Sequence, residues 1–322
     1  MTILAMAAAI TMTLATCTGQ QTTLGTSESD KTAKTVKHIE FVADSAMNML
    51  QAQCDFGPRV PGTAAHSACA AYIDSRLAAW CDTVITQRAT VTTFDGTSLT
   101  AQNIMGRINP EATTRILLLA HWDCRPWADK DENPALQRNP VMGANDAASG
   151  AAVLLELARI MNINRPEIGV DLLFVDAEDW GDYNNEDSWA LGTKAWAQDY
   201  KQLLGQDFAP AFGILLDMVG ARGARFAPEY FSLQNASSVV QLVWDTAREA
   251  GYGAYFVQAN GGAVTDDHVV INNAGIPCID IIDMRGDGFF DGWHTTHDSV
   301  DNIDPATLKA VGQTLANLIY NF

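Results

Sequence analysis

The sequence is poor in basic residues and contains few histidines. Among its 322 residues are 20 Lys or Arg and 38 Asp or Glu, so the net charge is −18, and only six residues are histidine. Proteins that bind nucleic acid need basic surface to displace the counterions of phosphate, so this composition argues against that function. The acidic surface is compatible with neutral or cationic substrates. Apolar residues make up 48% of the chain, enough for a substantial core.

Long apolar runs are also absent, and the apolar segment at the start of the chain is too short for an ordinary membrane span. Residues 1–17 predict a secretory signal that ends in a lipobox, "LATC", in which Cys17 would be lipidated. A plain cleavage site with an incidental cysteine is the alternative. Residues 18–36 are polar and predict a flexible tether. We therefore expect an exported protein, either periplasmic or a lipoprotein that contacts a membrane only through Cys17.

The cysteines show neither a C-x-x-C pair nor the Cys/His spacing of a zinc ribbon. We therefore do not interpret them as metal ligands. With Cys17 lipidated, five cysteines remain, and an odd number leaves at least one free thiol. Export permits disulfides, but the sequence alone assigns no pair.

Apolar strands and helices alternate from residue 37 to the end, with no second linker and no internal repeat, which predicts one domain over 37–322. Two strands are expected around a turn at Asp95-Gly96. Continuous apolar runs predict four buried strands, at 115–120, 170–177, 212–219 and 277–283. Helices are expected at 37–56, 64–80, 148–162, 188–200, 266–274 and 304–321, the last with Asp304 as N-cap. The alternation predicts an α/β fold, a three-layer α/β/α sandwich with a mixed, mostly parallel central sheet.

Polar side chains follow the predicted buried strands. Sites in open α/β sheets lie at the carboxyl ends of the strands, so we expect these side chains to meet at one edge of the sheet. Carboxylates and imidazoles are suitable zinc ligands. The candidate ligands are His121, Asp146, Asp179, Asp217 and His294.

Two further acidic residues complete this interpretation. Glu178 directly precedes Asp179, so the two side chains can diverge, and Glu178 is the candidate acid/base that does not bind metal. Asp123 lies two residues after His121 and is expected to face the same way. It would orient that imidazole from outside the ligand set or join a second metal site.

Each element also has a simpler interpretation. Asp146 could act only as the N-cap of the following helix, and His297 and Asp298 are expected to be polar loop residues rather than ligands. Burying several carboxylates together without a cation would be costly, however. The recurrence at several strand ends therefore indicates a site like that of a zinc hydrolase.

Six segments resemble, in collinear order, the zinc-dependent aminopeptidase superfamily, and within it the bacterial, animal-type glutaminyl cyclases. The segments are "AHWDCRPWAD", "GANDAASGAAVLLELAR", "FVDAEDWGD", "LLDMVGA", "DDHVVINNAGIPCIDIID" and "GWHTTHDSVDNID". The resemblance covers about residues 37–322, and the segments are more specific for the superfamily than for one activity within it. The resemblance implies a single zinc-dependent catalytic domain with a zinc exopeptidase-like fold. The implied substrates are the N-termini of peptides or proteins.

The resemblance also implies a ligand set. Cyclases of this family hold one zinc at positions that match Asp146, Asp179 and His294. The di-zinc aminopeptidases use His121 and Asp217 as well, so ligand identity does not separate the two activities. In a cyclase, Asp217 is implied to form hydrogen bonds instead.

Two features favour the cyclase. Trp293 precedes His294, and in cyclases this indole lines the pocket for the glutamine side chain. Asp266-Asp267-His268 resembles the cyclase "DDH", which implies that Asp267 joins Asp217 and the catalytic Glu178 in a proton relay. Trp180 is expected to add an apolar wall. The alternatives are a di-zinc aminopeptidase and a non-catalytic, peptide-binding lipoprotein.

Overall fold

The computed structural model describes residues 37–286 and 288–322. The predicted signal segment 1–17, its Cys17 and the predicted tether 18–36 lie outside the described residues. Within the described part, Cys54, Cys69, Cys81, Cys124 and Cys278 are all free thiols.

A six-stranded mixed sheet forms the centre of the domain, in the order β1-β2-β4-β3-β5-β6. Strand β1 pairs antiparallel with β2, and β2 pairs antiparallel with β4, whereas β4, β3, β5 and β6 are parallel. The strands are β1 (Thr83–Thr92), β2 (Ser98–Ile108), β3 (Arg115–His121), β4 (Gly169–Val175), β5 (Gly213–Asp217) and β6 (Cys278–Ile282). The four apolar runs are the four parallel strands, and every residue in them is buried. The predicted mixed, mostly parallel sheet is confirmed.

The helices also follow the predicted order, with α4 three to four residues later than predicted and with two larger differences. They are α1 (Ala43–Asp55), α2 (Ala64–Trp80), α3 (Ala148–Ile163), α4 (Leu191–Leu204), α5 (Tyr230–Glu249), α6 (Asp267–Asn273) and α7 (Pro305–Asn321). Helix α1 begins later than predicted because the segment before it is bound to α7, where Gln313 bonds the backbone of Ile39 and Phe41. Helix α5 is not among the helices that the sequence predicts. Asp304 caps α7 through the backbone N–H of Ala306, as predicted.

Helices cover both faces of the sheet, which confirms the three layers. Along β3, Ile116 and Leu118 face a core shared with α1, α2, α3, α5 and α7. Leu117 and Leu119 alternate with them and face a second core shared with α4 and α6. The side-chain period of two along a strand produces this alternation. The chain passes from β3 to β4 through α3 on one face and from β4 to β5 through α4 on the other.

The carboxyl ends of β4, β3 and β5 therefore lie side by side where the direction of the connections reverses. Such a position leaves a crevice between loops at the edge of the sheet. Strands β3 and β5 end in His121 and Asp217, the loops after β3 and β4 carry Asp146 and Asp179, and the loop after β6 carries His294.

Candidate active site

Three of the predicted ligands converge from separate loops. Asp146 precedes α3, Asp179 follows β4, and His294 lies in the loop after β6. All three are buried, and their ligand atoms lie within 4.8 Å of one another. Nε2 of His294 is 3.1 Å from Oδ1 of Asp179 and 3.4 Å from Oδ2 of Asp146. We call these residues the metal triad. Asp146 does not cap α3, because Ala147 is the N-cap of that helix.

His121 and Asp217 form a second group around the same aspartate. Nε2 of His121 lies 2.9 Å from Oδ1 of Asp146 and 3.1 Å from Oδ1 of Asp217. Asp146 thus faces His121 with one oxygen and His294 with the other. The structure brings all five predicted ligands together, and this second group could also hold an ion.

Burial and neighbouring charges shift these groups in opposite directions. Burial raises the pKa of Asp146, but His121 and His294 outweigh that effect and lower the pKa below its usual value. Burial raises the pKa of Asp217 to about 6. Burial by itself lowers the pKa of His121, yet the surrounding carboxylates raise it well above the usual value. Asp146 is therefore the most readily ionised acid at the centre of the two groups.

Asp123 lies beside His121 and its carboxylate raises the pKa of that imidazole, but the two side chains are not within hydrogen-bond distance. Its Oδ1 lies 3.6 Å from Nδ1 of His121, too far for a hydrogen bond. Its carboxylate instead accepts the backbone N–H groups of Glu178 and Asp179, at 3.1 and 3.3 Å. Asp123 lies beyond the end of β3, and its carboxylate reaches the turn that follows β4. Its hydrogen bonds therefore hold the backbone of Glu178 and Asp179.

The loop residue Asp298, like Asp123, holds the backbone next to a member of the metal triad. It is fully buried and accepts the backbone N–H groups of Asn145 and Asp146, at 2.8 and 3.0 Å. His297 is exposed, as expected of a loop residue. Asp298 is therefore more than a polar loop residue, although it does not belong to the metal triad.

Sharp turns aim the functional side chains. Ala177, Met218 and His294 adopt left-handed backbone conformations, with φ of 53°, 50° and 54°. These turns lie beside Glu178, beside Asp217 and at a member of the metal triad. Non-glycine residues adopt this conformation uncommonly, and such residues cluster at functional sites.

A cavity of about 230 Å³ opens beside the metal triad, and Glu178, Asp217 and Asp266 contribute acids to its lining. Asp266 caps α6 with one oxygen through the backbone N–H of Asp267, whereas its buried Oδ2 has no hydrogen-bond partner among the described residues. Asp267 is fully buried and is not part of the lining. The sequence assigned the relay position to Asp267. The structure instead places Asp266, and not Asp267, in the cavity lining, so Asp266 is the better candidate for that position.

Aromatic and large aliphatic side chains form much of the cavity wall. They are Tyr183, Trp189, Met218, Val264, Ile282, Phe289 and Trp293. The indole of Trp293 stacks on the imidazole of His294, with the ring centres 3.9 Å apart. Trp293 thus lines the cavity beside the metal triad, and its contact with a substrate side chain stays a prediction.

Trp180 does not line this cavity, contrary to prediction. Its indole packs on a small core under β1 and β2 and against Trp127. Tyr183, Trp189 and Phe289 were missed in its place. They lie in loops without hydrophobic periodicity, and the density of aromatic residues around 180–189 is the only sequence signal for two of them. Trp196, by contrast, is a core residue.

The metal triad fits zinc. Two carboxylates and one imidazole are a suitable donor set for a catalytic zinc with an open position. The buried Oδ2 of Asp179 has no hydrogen-bond partner among the described residues, and a cation would satisfy it. Nδ1 of His294 lies 2.5 Å from the hydroxyl of Tyr183. A metal-binding imidazole commonly has such an outer hydrogen bond.

Solved structures similar to this chain include a glutaminyl cyclase and a Zn-dependent exopeptidase. A glutaminyl cyclase from Bacteroides thetaiotaomicron is 44% identical, with a TM-score of 0.86, over 89% of this chain and 100% of that chain. A Zn-dependent exopeptidase from Parabacteroides distasonis is 47% identical, with a TM-score of 0.85, over the same shares of the two chains.

The chain also resembles a curated mammalian enzyme. Glutaminyl-peptide cyclotransferase from Bos taurus is 26% identical over 253 residues, which are 68% of this chain. The match covers 66% of the bovine protein, so the chain spans just under two thirds of that relative. The model of peptidase family M28 matches residues 103–319, which include the metal triad, Glu178 and Asp266. By its sequence, its fold and its site, this chain belongs to peptidase family M28.

Proposed function

We propose that this chain is a glutaminyl-peptide cyclotransferase with one zinc ion. It would convert the N-terminal glutamine of peptides and proteins to pyroglutamate and release ammonia. The observation that carries the proposal is the cavity beside the metal triad, where Glu178, Asp217 and Asp266 line the same space as two indoles. At about 230 Å³, the cavity is smaller than sites for drug-sized ligands and suits a single side chain.

Asp146, Asp179 and His294 would hold the zinc next to the γ-carboxamide oxygen of the substrate. Bound there, zinc polarises the γ-carbonyl as a Lewis acid. Glu178 accepts a proton from the α-amine as the amine nitrogen forms a bond with the carbonyl carbon of the γ-carboxamide. Glu178 then returns a proton to the carboxamide nitrogen as the bond between that nitrogen and the same carbonyl carbon breaks. The products are a lactam ring and ammonia, and the proton count balances.

The surroundings of Glu178 support this role. Burial, followed by the charge of Asp266, raises the pKa of Glu178 well above its usual value. Burial likewise raises the pKa of Asp266 to about 7. Acids that bind protons near neutral pH are effective in proton transfer. We infer that Asp217 and Asp266 share a proton with Glu178 and keep it available for the departing ammonia.

Water must be excluded, since hydrolysis of the polarised carbonyl would compete with cyclisation. Trp189, Phe289 and Trp293 form an apolar wall next to His294. This wall supports the proposal because it would surround the side chain of the substrate and displace water from it.

A di-zinc aminopeptidase is the second candidate. The observation that favours it is the group of His121, Asp146 and Asp217, whose ligand atoms are close enough to hold another ion. A non-catalytic peptide-binding protein is disfavoured because every expected ligand and Glu178 are retained.

We also propose that the protein is exported, as a periplasmic protein or as a lipoprotein anchored through Cys17. The support is the pattern of residues 1–36 in the sequence. Among the described residues, none of the helices has the length and apolar character to cross a membrane.

Two peptides distinguish the enzymatic candidates. The zinc-loaded protein is incubated with Gln-Phe-Ala and with Leu-Phe-Ala, and the products are measured by mass. A cyclotransferase releases ammonia from the first peptide and leaves the second intact. Free leucine from the second peptide, without loss of ammonia from the first, would establish the aminopeptidase instead.

A further inference from the structure

Arg125 is a buried arginine beside the metal triad, 1% exposed. Its Nε and Nη2 donate to the two oxygens of Asp129, at 2.8 and 2.7 Å. Its Nη1 and Nη2 also donate to the backbone carbonyls of Asp179 and Gly181, both at 3.2 Å. Nη1 lies 3.5 Å from Oδ1 of Asp179. One guanidinium thus holds both the backbone and the side chain of a triad residue.

Asp129 connects the same guanidinium to a second triad residue. The hydroxyl of Tyr183 lies 3.2 Å from Oδ1 of Asp129 and 2.5 Å from Nδ1 of His294. Because Nε2 of His294 faces Asp146 and Asp179, Nδ1 carries the ring hydrogen when Nε2 binds metal. The imidazole then donates to the oxygen of Tyr183, and the hydroxyl of Tyr183 donates to Asp129.

The guanidinium also supports the cavity wall. It lies 5.0 Å from the ring centre of Tyr183 and 5.1 Å from that of Trp189, and both rings line the cavity. These distances permit cation–π attraction. Tyr183 therefore belongs to the wall by its ring and to the surroundings of the metal by its hydroxyl.

We propose that Arg125, Asp129 and Tyr183 are positioning residues that hold Asp179 and His294 in the geometry that binds zinc. Arg125 fixes Asp179 directly and fixes His294 through Asp129 and Tyr183. Loss of such outer partners weakens metal binding by about 10- to 100-fold. This inference rests on the metal site of the proposed function and is independent of the reaction performed there.

Tyr183→Phe is the sharpest test, because it removes one hydroxyl and keeps the ring in the wall. We expect the Kd for zinc, measured by competition with a chelator, to rise by roughly tenfold or more. The apo protein should melt at the temperature of the unsubstituted protein. Saturating zinc should restore most of kcat, which a general loss of structure would not allow. Tyr230→Phe is the matched control, since Tyr230 is half exposed at the start of α5, and its Kd should not change.

Asp129→Asn tests the next link, because it keeps the size of the side chain and removes its charge. The same rise in Kd is expected. An unchanged zinc Kd in either variant would overturn the proposed network. Failure of the protein to cyclise glutamine would refute the proposed function but leave this binding measurement valid, so the two failures are distinguishable.

Discussion

The carboxylate of Asp123 accepts the backbone N–H groups of both Glu178 and Asp179, at 3.1 and 3.3 Å. It thereby fixes the turn that directs the side chain of Glu178 into the cavity and makes Asp179 a member of the metal triad. In Asp123→Ala, two buried N–H groups lose their acceptor, and each such loss costs about 1–3 kcal/mol. We expect urea unfolding to show a corresponding loss of stability.

The control is Asp207→Ala, which removes an exposed aspartate on the surface. Its free energy of unfolding should stay close to that of the unsubstituted protein. Equal stability of the two variants would show that Asp123 does not hold the turn.

Much of the fold could be predicted because its central strands are buried on both faces. Continuous apolar segments such as 115–120 and 170–177 are incompatible with an exposed sheet, and the alternation with helices then requires parallel connections. Helix α5 was missed although its buried residues, among them Val239, Val240, Val243 and Trp244, recur at helical spacing. The pattern that predicts this helix is present in the sequence and was overlooked.

The site residues at the ends of strands could be predicted from the sequence. The residues that reach the cavity from long loops could not. His121 and Asp217 are the last residues of their strands, so the sheet fixes their positions. Tyr183 and Trp189 reach the cavity through a loop whose path depends on Arg125, and no local pattern encodes that contact. The place of Asp266 rather than Asp267 in the cavity lining has a similar origin, since a shift of one residue at a helix start changes the direction of the side chain.

Glu178→Gln preserves the shape of the proposed acid/base and removes its ability to accept a proton. Turnover should fall by about 10²- to 10⁴-fold, the usual contribution of a positioned acid/base. Bound zinc, measured by elemental analysis, should be unchanged, because Glu178 is not a member of the metal triad. Substantial remaining activity would contradict the role of this residue.

Metal content separates the two groups of ligands. Asp179→Ala removes a triad residue and should yield protein without zinc after dialysis. His121→Ala removes a residue that belongs only to the second group and should leave one zinc per chain if the enzyme is a single-zinc cyclase. Two zinc ions in the unsubstituted protein, with one lost in His121→Ala, would instead support the aminopeptidase.

The pH dependence of kcat should respond to Asp266. An anionic neighbour disfavours ionisation of Glu178, and Asp266 contributes to its raised pKa after burial. Asp266→Asn removes that charge, so the pKa of Glu178 should fall and the acidic limb of the kcat profile should move to lower pH. Asp301→Asn, at an exposed aspartate, is the control. A limb that stays in place or moves to higher pH would exclude the proposed coupling.

Trp293 and Trp180 provide a matched pair of indoles, one in the cavity wall and one outside it. Trp293→Ala opens the wall beside His294, so the KM for Gln-Phe-Ala should rise by roughly tenfold, equivalent to about 1.4 kcal/mol of lost binding. Trp180→Ala removes an indole of similar size from the core under β1 and β2 and should lower thermal stability with little change in KM. Zinc content is measured for both variants, because Trp293 also stacks on a triad residue. A KM that rises in Trp180→Ala and stays constant in Trp293→Ala would place the substrate beside Trp180 and exclude Trp293 from the pocket.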